Sequence, residues 1–252
     1  MAGAEGFEPS ALGFGDRCSD QTELRPYAPR HSTHPFQTPT TIELVAAFLA
    51  NVGVNASHPV SSPLRDDGTF DLVPIHEALP WRPPMLRGWR DLAVHLDPDF
   101  TTTPATYGDN CRRAGRAYSL RRAHPGDLIV FIARLQPEGR PAAFFLVGEL
   151  EIADALVDVT QDPGPGWWDA NAHVRRARAA NAWDSFWVFK GADRSRLFKK
   201  AIPFARRETE TVLGATSWPD HRTELQTIGS CTRAVRRIEG RGEEWLRTIS
   251  RS

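Results

Sequence analysis

Three side chains in this sequence are of types that move protons or hold phosphate, and they lie far apart along the chain: Asp109, His173 and Lys199. An aspartate can act as a base, a histidine as acid or base near neutral pH, and a lysine as a point-charge anchor for phosphate. Around them stand residues able to bind a polar ligand: Asn51, Asn55, His58, Tyr107, Arg112, Arg113, Trp168, Asn171, Arg175, Arg176, Lys190 and Ser195. Plainer uses compete with each role. Asp109 can cap a helix, His173 can sit on a helix face bonded to a neighbour, and Trp168 can pack in the core. The set becomes a site only if the fold gathers it.

Several chemistries lack their signatures. There is no P-loop, no Rossmann glycine pattern, no G-x-S-x-G elbow and no HExxH helix, so the ATP, dinucleotide, serine-hydrolase and zincin patterns are absent. Cys18, Cys111 and Cys231 are widely spaced without a CxxC pair. That argues against a disulfide framework or a zinc site and fits a reducing cytoplasm. We therefore expect no metal and no cofactor. No run is long and apolar enough for a membrane span, so no membrane partner is expected.

Charge is balanced overall, with 31 Lys and Arg against 31 Asp and Glu, but it is unevenly placed. Residues 1–110 hold 7 basic and 14 acidic side chains, and the remainder 24 and 17. The second half is basic. Its cations come in bursts: Arg112, Arg113, Arg116, Arg121 and Arg122; Arg175, Arg176 and Arg178; Arg194, Arg196, Lys199 and Lys200; Arg233, Arg236 and Arg237. One burst alone is an ordinary solvated face, whereas several converging on one face would bind phosphates.

The elements that must position these residues are organised around the stretch from Thr106 to Glu151. Asp127–Leu135 and Ala142–Leu150 are apolar, rich in Val, Ile and Phe, and separated by turn formers, which predicts a β-hairpin. Tyr107-Gly108-Asp109 reads as a turn, with Asp109 capping a helix over Asn110–Arg122 that His124-Pro125-Gly126 ends. Val45–Val54 reads as a buried first strand, and Thr69–Ile75 as a second one at an edge. Trp89–His95 reads as a short helix or strand, and Asp97-Pro98-Asp99-Phe100 as a turn. Asp169 is placed to cap a helix over Ala170–Asn181, and Asp184–Lys190 reads as a strand. Ser195–Phe204 reads as a short helix or an extended basic segment. Two further helices are expected, around Ser230–Ile238 and over Gly242–Ile249.

Residues 1–44 carry Pro, Gly, Ser, Thr and His without apolar periodicity and read as a disordered extension. Gly6-Phe7-Glu8-Pro9 is also what the T-arm of a transfer RNA gene yields when translated in one frame. On that reading the native chain starts near Val45 and the preceding residues are a mis-annotated start. Residues 45–252 read as a single α+β domain.

The ordered set NVGVNASHPVSSPLRDDGTFDLVPIHE, HLDPDFTTTPATYGDNCRRA, PGDLIVFIARL with FFLVGELEI, NAHVRR and FWVFKGADRSRLFKKAIPF resembles the nucleotide modification associated domain 3 family. The resemblance spans Val45 to about Ile238. It implies a place in base-modification systems of phages and bacteria, without implying a particular reaction. The central hairpin alone is similar to the barrels of PUA-like domains, including the EVE and YTH groups, which hold a flipped modified base between aromatic walls. Trp81, Trp89, Trp167, Trp168, Trp183 and Trp187 could supply such walls.

The expectation is an α+β fold, either a mixed sheet or a PUA-like partly closed β-barrel with flanking helices. The function expected first is binding of modified bases or nucleotides, in DNA or RNA, through an aromatic pocket near Tyr107 and an arginine-rich surface. The second is an enzyme acting on a nucleotide or nucleobase through Asp109, His173 and Lys199. The third is a non-catalytic partner of other modification enzymes.

Overall fold

Apolar runs that read as strands build the centre of one sheet. The computed structural model describes residues 45–54, 61–76, 94–113 and 115–250, all within one compact unit, Glu43–Ser252. Expectations placed on residues 1–44, Asn55, His58, Trp81 and Trp89 lie outside the described residues. In chain order the strands are β1 (Ala47–Val52), β2 (Ser62–Leu64), β3 (Ile75–His76), β4 (Val94–His95), β5 (Thr106–Asp109), β6 (Leu128–Pro137), β7 (Ala143–Val159), β8 (Phe186–Gly191), β9 (Arg196–Pro203) and β10 (Arg236–Ile238). The helices are α1 (Ala172–Ala180), α2 (Arg206–Leu213), α3 (Glu224–Cys231) and α4 (Arg241–Ser250), with one 3-10 turn at Tyr118–Arg122.

Eight strands form a mixed sheet in the order β10-β1-β6-β7-β8-β5, with β2 also beside β6 and β9 beside β7. β1 and β2 run parallel to β6, and the other pairs are antiparallel. The sheet does not close, so the fold is α+β with an open mixed sheet rather than a barrel. β3 and β4 pair separately as a small ribbon.

Strands buried on both faces carry continuous apolar sequence, and β6 shows why. Ile129, Phe131, Ala133 and Leu135 enter one core, while Leu128, Val130 and Ile132 enter the other. The first core is closed by Tyr107, Ala117 and Leu120, with Phe70, Leu72 and Phe100 packed against it. Val212 of α2, Ile228 of α3 and Leu246 of α4 cover the second. A third cluster seats Val174 and Ala177 of α1 on Phe186 and Val188 of β8. Phe131 is fully buried, and truncating such a side chain costs about 3–5 kcal/mol.

The hairpin, the first strand, β8 and the last helix follow the sequence reading, and the extended alternative for residues 195–204 is the one found. Other readings are corrected. Tyr107-Gly108-Asp109 is strand, because β5 pairs with β8 from Thr106↔Lys190 to Asp109↔Trp187. The helix expected over Asn110–Arg122 is reduced to the 3-10 turn, since the Asn110 side chain accepts from the Arg112 N–H at 3.2 Å and closes a local turn instead. Of the strand expected over Thr69–Ile75, a single bridge at Phe70 and the residue pair Ile75–His76 remain, and the short strand before it is Ser62–Leu64. The cap of α1 is Asn171, not Asp169, which is engaged by Gly166 N–H and Arg178. β7 runs past Leu150 to Val159, bulging between Ile152 and Asp154 as it changes partner from β6 to β8. The helix expected at Ser230–Ile238 lies earlier, as α3, started by a reciprocal Thr223–Gln226 capping box; Arg236–Ile238 is the edge strand beside β1.

Candidate functional site

β5 brings Tyr107, Gly108 and Asp109 to the floor of a cleft of about 410 Å³. The end of β1 contributes Asn51, Val52 and Gly53, the ribbon contributes Ile75 and His95, and α1 contributes His173 and Arg176. Asp97 and Arg116 complete the lining. The volume falls in the range of small-molecule sites.

Asp97 is the centre of the arrangement. Its side chain is 3% exposed, and the Gly108 N–H donates to both carboxylate oxygens at 2.9 Å. His173 Nε2 lies 3.2 Å and His95 Nε2 3.7 Å from Asp97 Oδ2. Burial pushes the Asp97 carboxyl upward, but the two imidazoles outweigh it and hold the group below the usual carboxylate range. It is an ionised carboxylate in a buried place.

The sequence around His173 explains its fixed position. Asn171 is fully buried; its Oδ1 accepts the His173 backbone N–H at 3.0 Å and its Nδ2 donates to Thr106 Oγ1 at 3.1 Å, tying the first turn of α1 to β5. The His173 ring packs beside Phe186, with centroids 5.5 Å apart, and edge-on to His95 at 4.8 Å. Arg176 Nη2 lies 3.3 Å from His173 Nδ1. With a guanidinium N–H there, Nδ1 accepts and Nε2 carries the proton toward Asp97.

A second network borders the first. The Tyr107 hydroxyl donates to Asp109 Oδ2 at 2.6 Å, Arg116 Nε donates to the same oxygen at 2.9 Å, and Arg116 Nη2 donates to the Asn51 carbonyl at 2.7 Å. Burial, reinforced by the Asp109 charge, raises the Tyr107 pKa well above its ordinary value, so the phenol stays a donor. Burial likewise pushes the Cys111 thiol up, which removes it as a nucleophile.

Of the residues singled out from sequence, Asn51, Tyr107, Asp109, His173 and Arg176 line the cleft, and Asn171 supports it from behind. The other described candidates do not line it. Arg112 and Arg113 are exposed, and Arg175 Nε donates to the Ala170 carbonyl. Lys190 sits on β8 opposite Thr106, Lys199 is exposed on β9, and Ser195 Oγ exchanges hydrogen bonds with the Glu151 backbone. The Trp168 indole donates to the Gly164 carbonyl and packs edge-on against Trp167, closing its own loop. The arginine bursts are divided in the same way: Arg178 joins Asp162 to Asp169, Arg194 pairs with Glu151, Arg196 with Glu149, and Arg121 lies over Trp187. His95 and Asp97 were missed. Their sequence, HLDPDF, carries turn grammar, and the His-x-Asp pair is joined by a histidine that lies far along the chain.

An open mixed sheet with a polar cleft, floored by a buried carboxylate and two imidazoles, defines an α+β protein built around a charged site. The chain matches nucleotide modification associated domain 3 over residues 47–247 and belongs to that family. Neither the curated proteins nor the solved structures compared with the chain gave a match. Family membership places the chain among proteins associated with nucleotide modification. No helix among the described residues is long and apolar enough to cross a membrane.

Proposed function

We propose that the chain is an enzyme acting on a nucleotide, free or within a nucleic acid, with the Asp97 cleft as its active site. The observation that carries this reading is the convergence of His95, Asp97 and His173 on one point of the cleft floor. Burying an ionised carboxylate costs free energy unless it is paired, and perturbed titratable groups that converge in a cleft are candidates for chemistry. Arg116 and Arg176 border the same cleft and supply guanidinium groups for a phosphate. Asp97 fixes the imidazoles, and the Tyr107 hydroxyl, donating to Asp109, holds the neighbouring carboxylate in place.

This favours the enzyme over the modified-base reader expected first, and it replaces the expected catalytic set. His173 stays, Asp97 takes the central place given to Asp109, and exposed Lys199 gives way to the two arginines. A reader needs flat aromatic walls, and among the described lining residues Tyr107 and the two imidazoles are the only rings. The test is incubation of the full chain with deoxynucleoside mono- and triphosphates and short DNA and RNA oligonucleotides, with divalent cations present, followed by mass spectrometry of the products. A mass change that wild type produces and His173→Ala does not supports the reading. Unchanged substrates throughout, with tight binding of modified DNA, would return the reader to first place.

A further inference from the structure

We infer that His95, Asp97 and His173 bind a divalent first-row transition-metal ion, open on the cleft side to an oxygen of the substrate. The inference deepens the proposed function and rests on the same cleft, but it is tested without any nucleotide. It departs from the sequence reading, which had no ligand spacing to work from.

The geometry is that of ligands facing a shared point. One carboxylate oxygen and one ring nitrogen from each histidine lie within 4.8 Å of one another, with Asp97 Oδ2 3.2 Å from His173 Nε2 and 3.7 Å from His95 Nε2. Ligands about 2.1 Å from one ion, at angles of about 90–110°, stand roughly 3–3.5 Å apart. The longer separation exceeds a direct hydrogen bond, so His95 and Asp97 face each other across a gap.

The donor set narrows the ion. Two imidazoles and one carboxylate suit zinc, iron(II), cobalt(II) or manganese(II), whereas calcium and magnesium take oxygen ligands. Three protein ligands on a cleft floor leave the remaining positions to water or substrate, which separates reactive from structural sites. The supports behind the ligands are also in place. The Gly108 N–H orients the carboxylate, and Asn171 fixes the turn that carries His173.

Arg176 gives the inference a second signature. An ion on His173 Nε2 requires that nitrogen to give up its proton, so Nδ1 carries the proton and can no longer accept from Arg176. The contact between the Arg176 guanidinium and the ring is then lost, at a residue that lines the cleft. A glutamine at this position offers a carbonyl that accepts from the Nδ1–H. Arg176→Gln should therefore hold the metal as tightly as wild type or several-fold more tightly.

The experiment titrates the metal-free full chain with cobalt(II) alone, read by its visible absorption, and with zinc(II) by calorimetry. Wild type should bind one equivalent that His95→Ala and His173→Ala each weaken at least tenfold, while His124→Ala, at an exposed position, leaves it unchanged. Because a cleft variant could misfold, wild type alone is also melted with and without saturating zinc, and its melting temperature should rise by several degrees. Equal titrations of wild type and both histidine variants, or no thermal shift, would overturn the inference. Metal binding without nucleotide turnover would sink the proposed function and leave the metal site standing; turnover without metal binding would do the reverse.

Discussion

Gly108→Ala isolates the contact on which the site depends. A Cβ at Gly108 would lie 2.6 Å from His173 Cδ2, 2.9 Å from Asn171 Oδ1 and 3.1 Å from Asp97 Oδ2. Carbon atoms in contact prefer about 3.5–4.0 Å, so the imidazole must retreat by about 1 Å. Strand backbone cannot yield easily, because β5 is paired to β8 on one side and its Gly108 N–H is held by Asp97 on the other. Overpacking of this kind costs roughly 1–3 kcal/mol. Alanine recovers about 0.5–1 kcal/mol over glycine in a strand. The net loss should be about 1–2 kcal/mol, a fall of roughly 3–6 °C in melting temperature for a chain of this size. The more telling loss is functional, since a 1 Å retreat separates His173 from Asp97. Gly139→Ala is the control: its φ is +63°, with no atom within 4 Å of the added Cβ, so it carries backbone strain and leaves the cleft intact. Urea unfolding and cobalt(II) titration of both variants decide the matter. A Gly108→Ala protein as stable as wild type and unimpaired in metal binding would refute the packing argument.

Two further outcomes follow from named contacts. Asn171→Ala removes the cap of α1 and the bond to Thr106, and should cost about 1–2 kcal/mol in urea unfolding while weakening cobalt(II) binding; unchanged stability would contradict the role given to that side chain. Asp99 is buried, and burial raises its pKa against the hydrogen bonds from Thr101 that lower it. A folded-state pKa above the unfolded value means the charged form costs stability at neutral pH, and that cost is relieved as the pH falls through the folded pKa toward about 3.9. Asp99→Asn keeps an acceptor for Thr101 and removes the charge, so it should melt at or above the wild-type temperature at pH 7 and lose the gain wild type shows on acidification; calorimetry in steps from pH 7 down to about pH 4 checks both.

The sequence was most legible where burial on both faces makes strands plainly apolar. β1, β6, the first half of β7 and β8 announce themselves in this way. The second half of β7, IADALVDV, runs through exposed and half-buried positions between buried Ile152 and Val159, so its strand character depends on pairing with β8. β5 was hidden by its own composition. Gly108 and Asp109 are turn formers, yet here the glycine makes room for His173 and the aspartate receives Tyr107 and Arg116. His95 and Asp97 were illegible as a site for a related reason, since only the tertiary fold sets them against α1. The arginine bursts suggested one phosphate-binding face, but Arg178, Arg194, Arg196 and Arg237 pair with acidic neighbours elsewhere, and Arg116, itself paired with Asp109, and Arg176 are the two described members that line the cleft. A count of cations cannot tell a paired guanidinium from one that faces a ligand.

The most direct test of the account is calorimetric titration of the full chain with each deoxynucleoside 5′-monophosphate, beside Arg116→Gln and His173→Ala. Saturable binding to wild type, weakened at least tenfold in both variants and persisting at moderate salt, is the predicted result. Binding that is the same in wild type and both cleft variants, or binding of nucleic acid alone that vanishes with salt and ignores the cleft, would contradict the claim that this cleft is where a nucleotide is held.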